Sequence, residues 1–480
     1  MQWFPPNANQ SIHCLGVAGS GMKRLAEVLT QMGWKLTGSD DAWEKSPSEN
    51  ILSRCQVMGS EDLLPAATGQ VIHSLAIPAD HPQMQQAKSR GLSIHSYPQV
   101  LGELSRQFPT VAVAGSHGKS TTCGMIDWLV RAQDQCWVRL SGAELCEAPD
   151  SNVSEPETWS SDCQLVIEAC EFQQSFLQLS PQTAVVLNID HDHVDCYPTP
   201  DHLAQAIGQF LNNIEQQGRL ILSAEVATTL GEGYWKRWSE QQHAPSSVTV
   251  LAASKQETLP EALRAFANVL CYQMSDQKLI LESEQTRSTY SLSPQCMTHP
   301  INLTAAVCVA RESGVSDTEI SSALSCFPGL RSRFELLRME TFPHLLFVDD
   351  FAHHPQEIAM TIQQARVRFP QRNVIALFEP HQYQRLQFFF DQYVESLSQA
   401  EEVFVAPVFR ARESHISANE AEKLSTELMN SLHTNGTPAT AFAANQLEQL
   451  LKKAEKQGAI VLMMSAGKLR ADVKVEIPQK

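Results

Sequence analysis

The run Gly115-Ser116-His117-Gly118-Lys119-Ser120-Thr121 has the residue types of a phosphate cradle. Glycines let backbone N–H groups turn inward around an anion, and a helix N-terminus behind them adds its positive dipole end. Lys119 can reach the outer phosphates of a nucleotide, and the Ser120 hydroxyl can ligate Mg²⁺. Val113 stands where the general pattern has its first glycine, so this is a shortened loop. Apolar residues 111–114 before the loop predict a strand, and a helix is expected to open at Thr121 or Thr122.

Four further clusters could carry chemistry. Glu168 and Glu171 follow the apolar run 165–167; an acid at a strand end near a phosphate loop is placed for Mg²⁺, and Glu171 is the candidate. Asp190-His191-Asp192-His193-Val194-Asp195 offers His193 as a second metal ligand. The same His-x-His-x-Asp order opens the two-metal site of some hydrolases, but the Asp-His continuation is missing, because Cys196 follows Asp195. Asp349-Asp350-Phe351-Ala352-His353-His354 and Glu379-Pro380-His381-Gln382-Tyr383-Gln384-Arg385 both end apolar runs, and predict one shared cleft. Near the start, Gly16-Val17-Ala18-Gly19-Ser20-Gly21 resembles a dinucleotide turn lacking its middle glycine, with Ser39 and Asp40 about 20 residues on, where an acid meets a ribose hydroxyl.

Positioning these residues takes an α/β fold. Strands are expected over 12–17, 35–37, 71–77, 92–94, 165–169, 183–189, 345–348, 374–378 and 402–406, and helices over 22–32, 357–369 and 388–397. Residues 224–260 read as irregular and 148–161 as a loop. At 480 residues the chain has room for about three domains, with boundaries expected near 105–109 and 327–329. A formal net charge of −17 argues against nucleic-acid or anionic-membrane partners. The 12 cysteines include no Cys-x-x-Cys pair, which suits reduced, partly buried thiols such as Cys14, Cys163 and Cys308. Residues 1–10 show no signal peptide, and no long apolar span follows.

Together these motifs resemble those of the Mur ligases, the family that builds the peptide stem of bacterial peptidoglycan, and they stand in the family's order along nearly the whole chain. The match takes in Gly16–Met22 with Gly38-Ser39-Asp40, the loop at 115–122, Glu168-Ala169-Cys170-Glu171, Asn188 to Asp195, Arg333-Phe334-Glu335, 349–355, and Pro380-His381 to Arg385.

The resemblance implies three domains: a Rossmann-like UDP-sugar-binding domain over 1–107, a central P-loop ATP-binding domain over 108–328, and a C-terminal Rossmann-like domain over 329–480 that takes the amino acid. Within the family the pattern is nearest the branch that joins L-alanine to the lactyl carboxylate of UDP-N-acetylmuramate. That implies a cytoplasmic, ADP-forming carbon–nitrogen ligase working through an acyl phosphate. The cofactors implied are ATP and Mg²⁺, the latter at two sites held by Ser120, Glu171 and His193. Gly115 to Thr121, His299, Asn302, Arg333 and Asp350 would bind the nucleotide. Gly19, Ser20, Gly21, Ser39, Asp40, His353 and Arg385 would bind the sugar nucleotide and the acceptor. Lys119, His193, Arg333 and His353 would be catalytic, His353 by positioning or deprotonating the alanine amine. Oligomeric state is left open.

The chain departs from the family pattern at four places. Thr298-His299-Pro300-Ile301-Asn302 keeps only the second Asn of the adenine motif. Gln382 replaces an arginine, Phe351-Ala352 replaces Tyr-Gly, and Met464-Ser465-Ala466-Gly467 replaces Gly-Ala-Gly. Two other readings therefore stand beside the alanine ligase. One is a recycling ligase that attaches a murein tripeptide to the same sugar nucleotide, and the other is a non-catalytic UDP-sugar-binding relative.

Overall fold

In a computed structural model of the chain, the structure describes residues 11–40, 56–59, 62–131, 133, 135–146, 159–190, 196–240, 245–275, 277–296, 298–337, 339, 341–410, 413, 416–467 and 469–473. His193, with His191, Asp192 and Asp195, lies outside them, as does most of 148–161.

The first sheet holds β1 (Ser11–Leu15), β2 (Lys35–Ser39), β3 (Gln56–Met58), β4 (Thr68–His73) and β5 (Ser93–Ser96). All are parallel, in the order β3-β2-β1-β4-β5. The order reverses between β1 and β4, which opens a crevice at the strands' carboxyl ends. The turn from β1 into the helix Ser20–Gln31 lies there.

The second sheet runs β14-β13-β12-β11-β10-β9-β6-β8-β7. Its strands are β6 (Thr110–Ala114), β7 (Trp137–Leu140), β8 (Gln164–Glu168), β9 (Thr183–Val186), β10 (Arg219–Ser223), β11 (Ser247–Ala252), β12 (Ala267–Ser275), β13 (Lys278–Glu282) and β14 (Arg287–Ser291). The last three form an antiparallel edge. Every residue of β6 is buried, as expected for a central strand covered on both faces. The sheet reverses order around β6, so the loops after β6, β8 and β9 share one crevice.

The third sheet holds β15 (Glu335–Leu337), β16 (Leu346–Asp350), β17 (Val374–Phe378), β18 (Glu402–Val405), β19 (Ala439–Ala441) and β20 (Ile460–Met464). Its order is β15-β16-β20-β17-β18-β19, with only β15 antiparallel.

By contacts the chain forms two compact units. The first contains the first two sheets, and the second contains the third sheet plus residues 144–147. Within the first unit one apolar core runs across both sheets, joining Met22, Leu25 and Leu29 of the first helix to Val138 and Leu140 of β7. That shared core fixes the Gly19–Gly21 turn beside the second sheet. None of the described helices is long and apolar enough to cross a membrane.

Several expectations need correction. The helix after the phosphate loop starts at Lys119, two residues early, because Gly118 at φ +82° already turns the chain into it. Within 224–260, the described residues include the helix Ala224–Ser239 and β11 (Ser247–Ala252). Three tryptophan and tyrosine rings, Tyr234, Trp235 and Trp238, pack there edge to face; the mixed polar sequence hid that face. Apolar periodicity misplaced two strands: β4 covers Thr68–His73 and β5 Ser93–Ser96. Cys163 is not a free thiol but is joined to Cys136 in a disulfide. Parallel pairing of Trp137 with Gln164 brings the preceding residues together, across a sequence separation of 27 that carries no motif.

His13 in β1 is fully buried, with Nδ1 2.8 Å from the Thr37 hydroxyl. Burial lowers its pKa to about 4, against a smaller upward pull from Gln83. The fold thus favours neutral imidazole while the unfolded chain takes up a proton first. Stability is complete above pH 6.5 and falls as pH drops toward 4, by about 3 kcal/mol if the whole shift is expressed. Urea titrations between pH 4 and 7 should show this slope, and His13→Gln should flatten it.

Candidate active site

The phosphate loop is held open from outside. Asn188, just past β9, clamps His117 at both backbone groups: Oδ1 accepts from His117 N at 2.9 Å, and Nδ2 donates to His117 O at 3.1 Å. The Ser116 hydroxyl donates to Asp190 O at 2.8 Å and accepts from Asp190 N at 3.0 Å. Gly115 (φ +134°) and Gly118 (φ +82°) adopt backbone that a side chain resists. A Cβ on Gly118 would collide with the Asn302 amide, lying 2.8 Å from its Cγ. Asn302 therefore sits directly over the loop. His299, one turn earlier, caps the helix Pro300–Glu312 by accepting from Ile301 N at 3.4 Å. Burial lowers its pKa, with Asp190 pulling the other way.

Lys119 Nζ reaches back to Gly115 O (2.6 Å) and Ser116 O (3.0 Å) and pairs with Glu171 at 2.9 Å. Burial alone would lower its pKa, but Glu171, with Cys170 and Glu168 beyond, raises it above the usual lysine value. The ammonium is therefore charged and held in the loop where phosphate oxygens would lie. The Ser120 hydroxyl faces Glu168, at 2.9 Å from both carboxylate oxygens, and Ser141 donates to the same carboxylate at 2.8 Å. Thus the acid beside Ser120 is Glu168, while Glu171 belongs to Lys119. Thr121 follows in the first helical turn.

The oxygen donors gathered here, one carboxylate and two hydroxyls, are the kind that Mg²⁺ takes. Among the described residues no group of three or more His, Cys, Asp or Glu side chains is arranged to hold a metal by itself.

The glycine turn after β1 lies close by in the same unit. Gly19 is the N-cap of the helix Ser20–Gln31, and no side chain caps it. The Ser20 hydroxyl rests over Gly142, where a Cβ would be 3.0 Å away, and Gly142 follows the Ser141 that binds Glu168. The ring of Tyr97 rests on Gly21. Asp40 accepts from Ala18 N at 2.9 Å, so it braces the turn. Ser39 points away from the crevice: its hydroxyl is buried and donates to Gln83 Oε1 at 2.5 Å. Only its backbone O reaches the turn, accepting from Gly16 N at 2.8 Å.

In the second unit the ends of β16, β17 and β20 meet. Asp350 accepts from Phe334 N (3.0 Å) and Ala352 N (2.8 Å), which ties the Arg333 turn to β16. Ser332 (φ +58°) and Phe334 (φ +52°) flank Arg333 in left-handed backbone, a strained turn that Asp350 helps to hold. Burial pushes the Asp350 pKa up to about 6, with Arg333 pulling it back. The Arg333 guanidinium lies over the Phe351 ring at 4.9 Å, so Phe351 serves as its platform.

His353 Nδ1 lies 3.0 Å from the Phe351 carbonyl and 3.2 Å from Glu357 Oε2. A carbonyl only accepts, so the proton is assigned to Nδ1, leaving Nε2 as the basic atom of the neutral ring. His381 packs edge to face on His353 at 5.5 Å, and Arg385 Nη1 is 3.4 Å from His381 Nδ1. Gln382 takes φ +70° as the chain turns into the helix Tyr383–Phe388. Glu413 caps that helix, accepting from Tyr383 N at 2.5 Å and Gln384 N at 3.1 Å. Glu379 accepts from the Ser465 hydroxyl at 2.5 Å and from Leu469 N at 3.1 Å, so the serine within 464–467 has a partner.

Residue-by-residue reading passed over Ser141 and Glu357, preferred Glu171 to Glu168, and named Glu379 only as part of its cluster. Local signals existed for Glu357, four residues after His353 at the start of a helix, and for Glu168, at a strand end three residues before Glu171. The others are brought in by strand neighbours distant in sequence.

The chain is a protein of three α/β sheets, with a phosphate loop on the middle sheet, a glycine turn on the first and a histidine-lined strand edge on the third. Three family descriptions match in that order: "Mur ligase family, catalytic domain" over 11–109, "Mur ligase middle domain" over 113–310, and "Mur ligase, glutamate ligase domain" over 332–467. The UDP-N-acetylmuramate–L-alanine ligase of Acidithiobacillus ferrooxidans is 30% identical over 477 residues, covering 98% of this chain and 97% of that protein. The ligase of the same name from Hyphomonas neptunium is 29% identical, covering 95% and 94%. The crystal structure of the UDP-N-acetylmuramate–alanine ligase MurC from Thermotoga maritima superposes with a TM-score of 0.73 at 19% identity, covering 97% of each chain; it shares the fold. The chain belongs to the Mur ligase family.

Proposed function

We propose that this protein is an ATP-dependent ligase that joins L-alanine to the lactyl carboxylate of UDP-N-acetylmuramate in the cytoplasm, where ATP and nucleotide sugars are found, as a step of peptidoglycan precursor synthesis. The observation that carries this reading is a juxtaposition within the first unit. The phosphate loop with Lys119, the Ser120–Glu168–Ser141 cluster and the uncapped Gly19–Gly21 turn share one crevice. A diphosphate held by the N–H groups of that turn leaves the sugar's carboxylate free to extend toward the nucleotide's terminal phosphate.

The chemistry follows from these positions. The lactyl carboxylate attacks the γ-phosphorus of ATP, forming an acyl phosphate and releasing ADP. Lys119 exchanges Glu171 and the loop carbonyls for phosphate oxygens and neutralises the charge that develops on them. Ser120 and Glu168 are the residues that would hold Mg²⁺, which when bound would supply positive charge to the phosphates, and His193 is proposed as a further ligand. Asn302 and His299 are proposed to bind the nucleotide above the loop. The alanine amine then attacks the acyl carbon, a tetrahedral intermediate forms, and phosphate leaves as the amine's proton is lost. His353, oriented by Glu357, is proposed to accept that proton at Nε2, and Arg385 to hold the amino acid's carboxylate.

ADP release by the purified protein with ATP, Mg²⁺ and UDP-N-acetylmuramate tests this, with L-alanine or the murein tripeptide as acceptor. Alanine-dependent release, with a product heavier by one alanyl residue, is expected. Turnover with tripeptide alone, or with neither acceptor, would overturn it.

A further inference from the structure

Tyr97 opens the helix Tyr97–Gln107 and lays its phenol on the sugar-nucleotide turn. A Cβ at Gly21 would stand 2.9 Å from its Oη and 3.0 Å from its Cζ, so the ring lies directly on the glycine. Gly21 lies in the first turn of the helix Ser20–Gln31, whose N-terminal N–H groups no side chain caps. The phenol also lies near enough to Glu168 and Cys170 for their charges to act on it. A phenol keeps its proton at neutral pH and can donate. Among the described residues its hydroxyl has no hydrogen-bond partner. A half-buried donor is thus held by its ring between an anion-binding turn and the carboxylate that faces Ser120.

We propose that the Tyr97 hydroxyl donates a hydrogen bond to the diphosphate of the nucleotide sugar held at the Gly19–Gly21 turn, and so sets affinity for that substrate. This rests on the reading of the first unit as a nucleotide-sugar ligase. The turn's own N–H groups hold the anion from the helix end, and the phenol closes it from the side. A single hydrogen bond to a charged oxygen corresponds to roughly ten- to hundredfold in affinity.

Tyr97→Phe keeps the ring on Gly21 and removes only the hydroxyl. Calorimetric titration of UDP into the full chain, wild type and Tyr97→Phe, is expected to show that loss, together with a matching rise in KM for UDP-N-acetylmuramate. KM for ATP should stay within about twofold, since the phosphate loop is untouched. Equal UDP affinity in the two proteins, or no UDP binding to the wild type, overturns the proposal. So does an equal weakening toward ATP and UDP with a lowered melting temperature, which is the signature of a packing role. If the wild type binds UDP but makes no alanyl product, the ligase reading fails while the titration still decides the phenol.

Discussion

Lys119→Met should lower the rate of ADP release by at least about a thousandfold while the protein still folds. The lysine is the cation inside the loop, and removing a preorganised charge from a transferring phosphoryl group costs about 10²–10³ or more. The same substitution removes the ammonium that Lys119 places beside Glu171, which is 2% exposed. Breaking a buried pair from one side costs about 3–5 kcal/mol, so lost activity could be mistaken for lost stability. The double variant Lys119→Met/Glu171→Gln separates the two. It removes both charges, so its melting temperature should recover toward wild type while turnover stays lost. Recovery of turnover together with stability would assign Lys119 a purely structural role.

The second large effect is expected at Glu168. Ser120 and Ser141 both donate to this carboxylate, and Glu168→Gln removes its charge without changing its size. Initial rates measured against Mg²⁺ concentration should show an apparent requirement raised about 10–100-fold, with maximal rate also reduced. Glu171→Gln should leave the Mg²⁺ requirement near wild type and act through Lys119 instead. If the two variants exchange behaviours, Glu171 is the metal acid and Glu168 the brace. The contrast tests geometry directly, because the two acids are three residues apart and indistinguishable by type.

These two carboxylates also mark where a linear reading stops. The glycines, Lys119 and Ser120 of the phosphate loop are one contiguous motif whose geometry is local. Backbone turn, helix start and side-chain reach are fixed within a few residues, so the loop could be read without a fold. The pairing of Ser120 with Glu168 depends on β6 and β8 being neighbours in the sheet, with Val113 opposite Glu168. Spacing along the chain carries no trace of that register. Asn188 reaches the loop for a similar reason, through β9 on the other side of β6. The Cys136–Cys163 disulfide and the inward turn of Ser39 are products of strand pairing as well.

The sequence by itself determined the class of this protein: alternating apolar runs and amphipathic segments for parallel sheets, the phosphate loop, and an ordered set of family motifs. The tertiary structure alone decided which acid lies beside Ser120 and which beside Lys119, that Tyr97 and Ser20 bring the first sheet's turn to the second sheet's site, and that Glu357 lies against His353. The physical reason is that motif chemistry is written in neighbouring residues, whereas partnership is set by sheet order and by a core shared between sheets. Both depend on burial of apolar surface far from the residues they bring together.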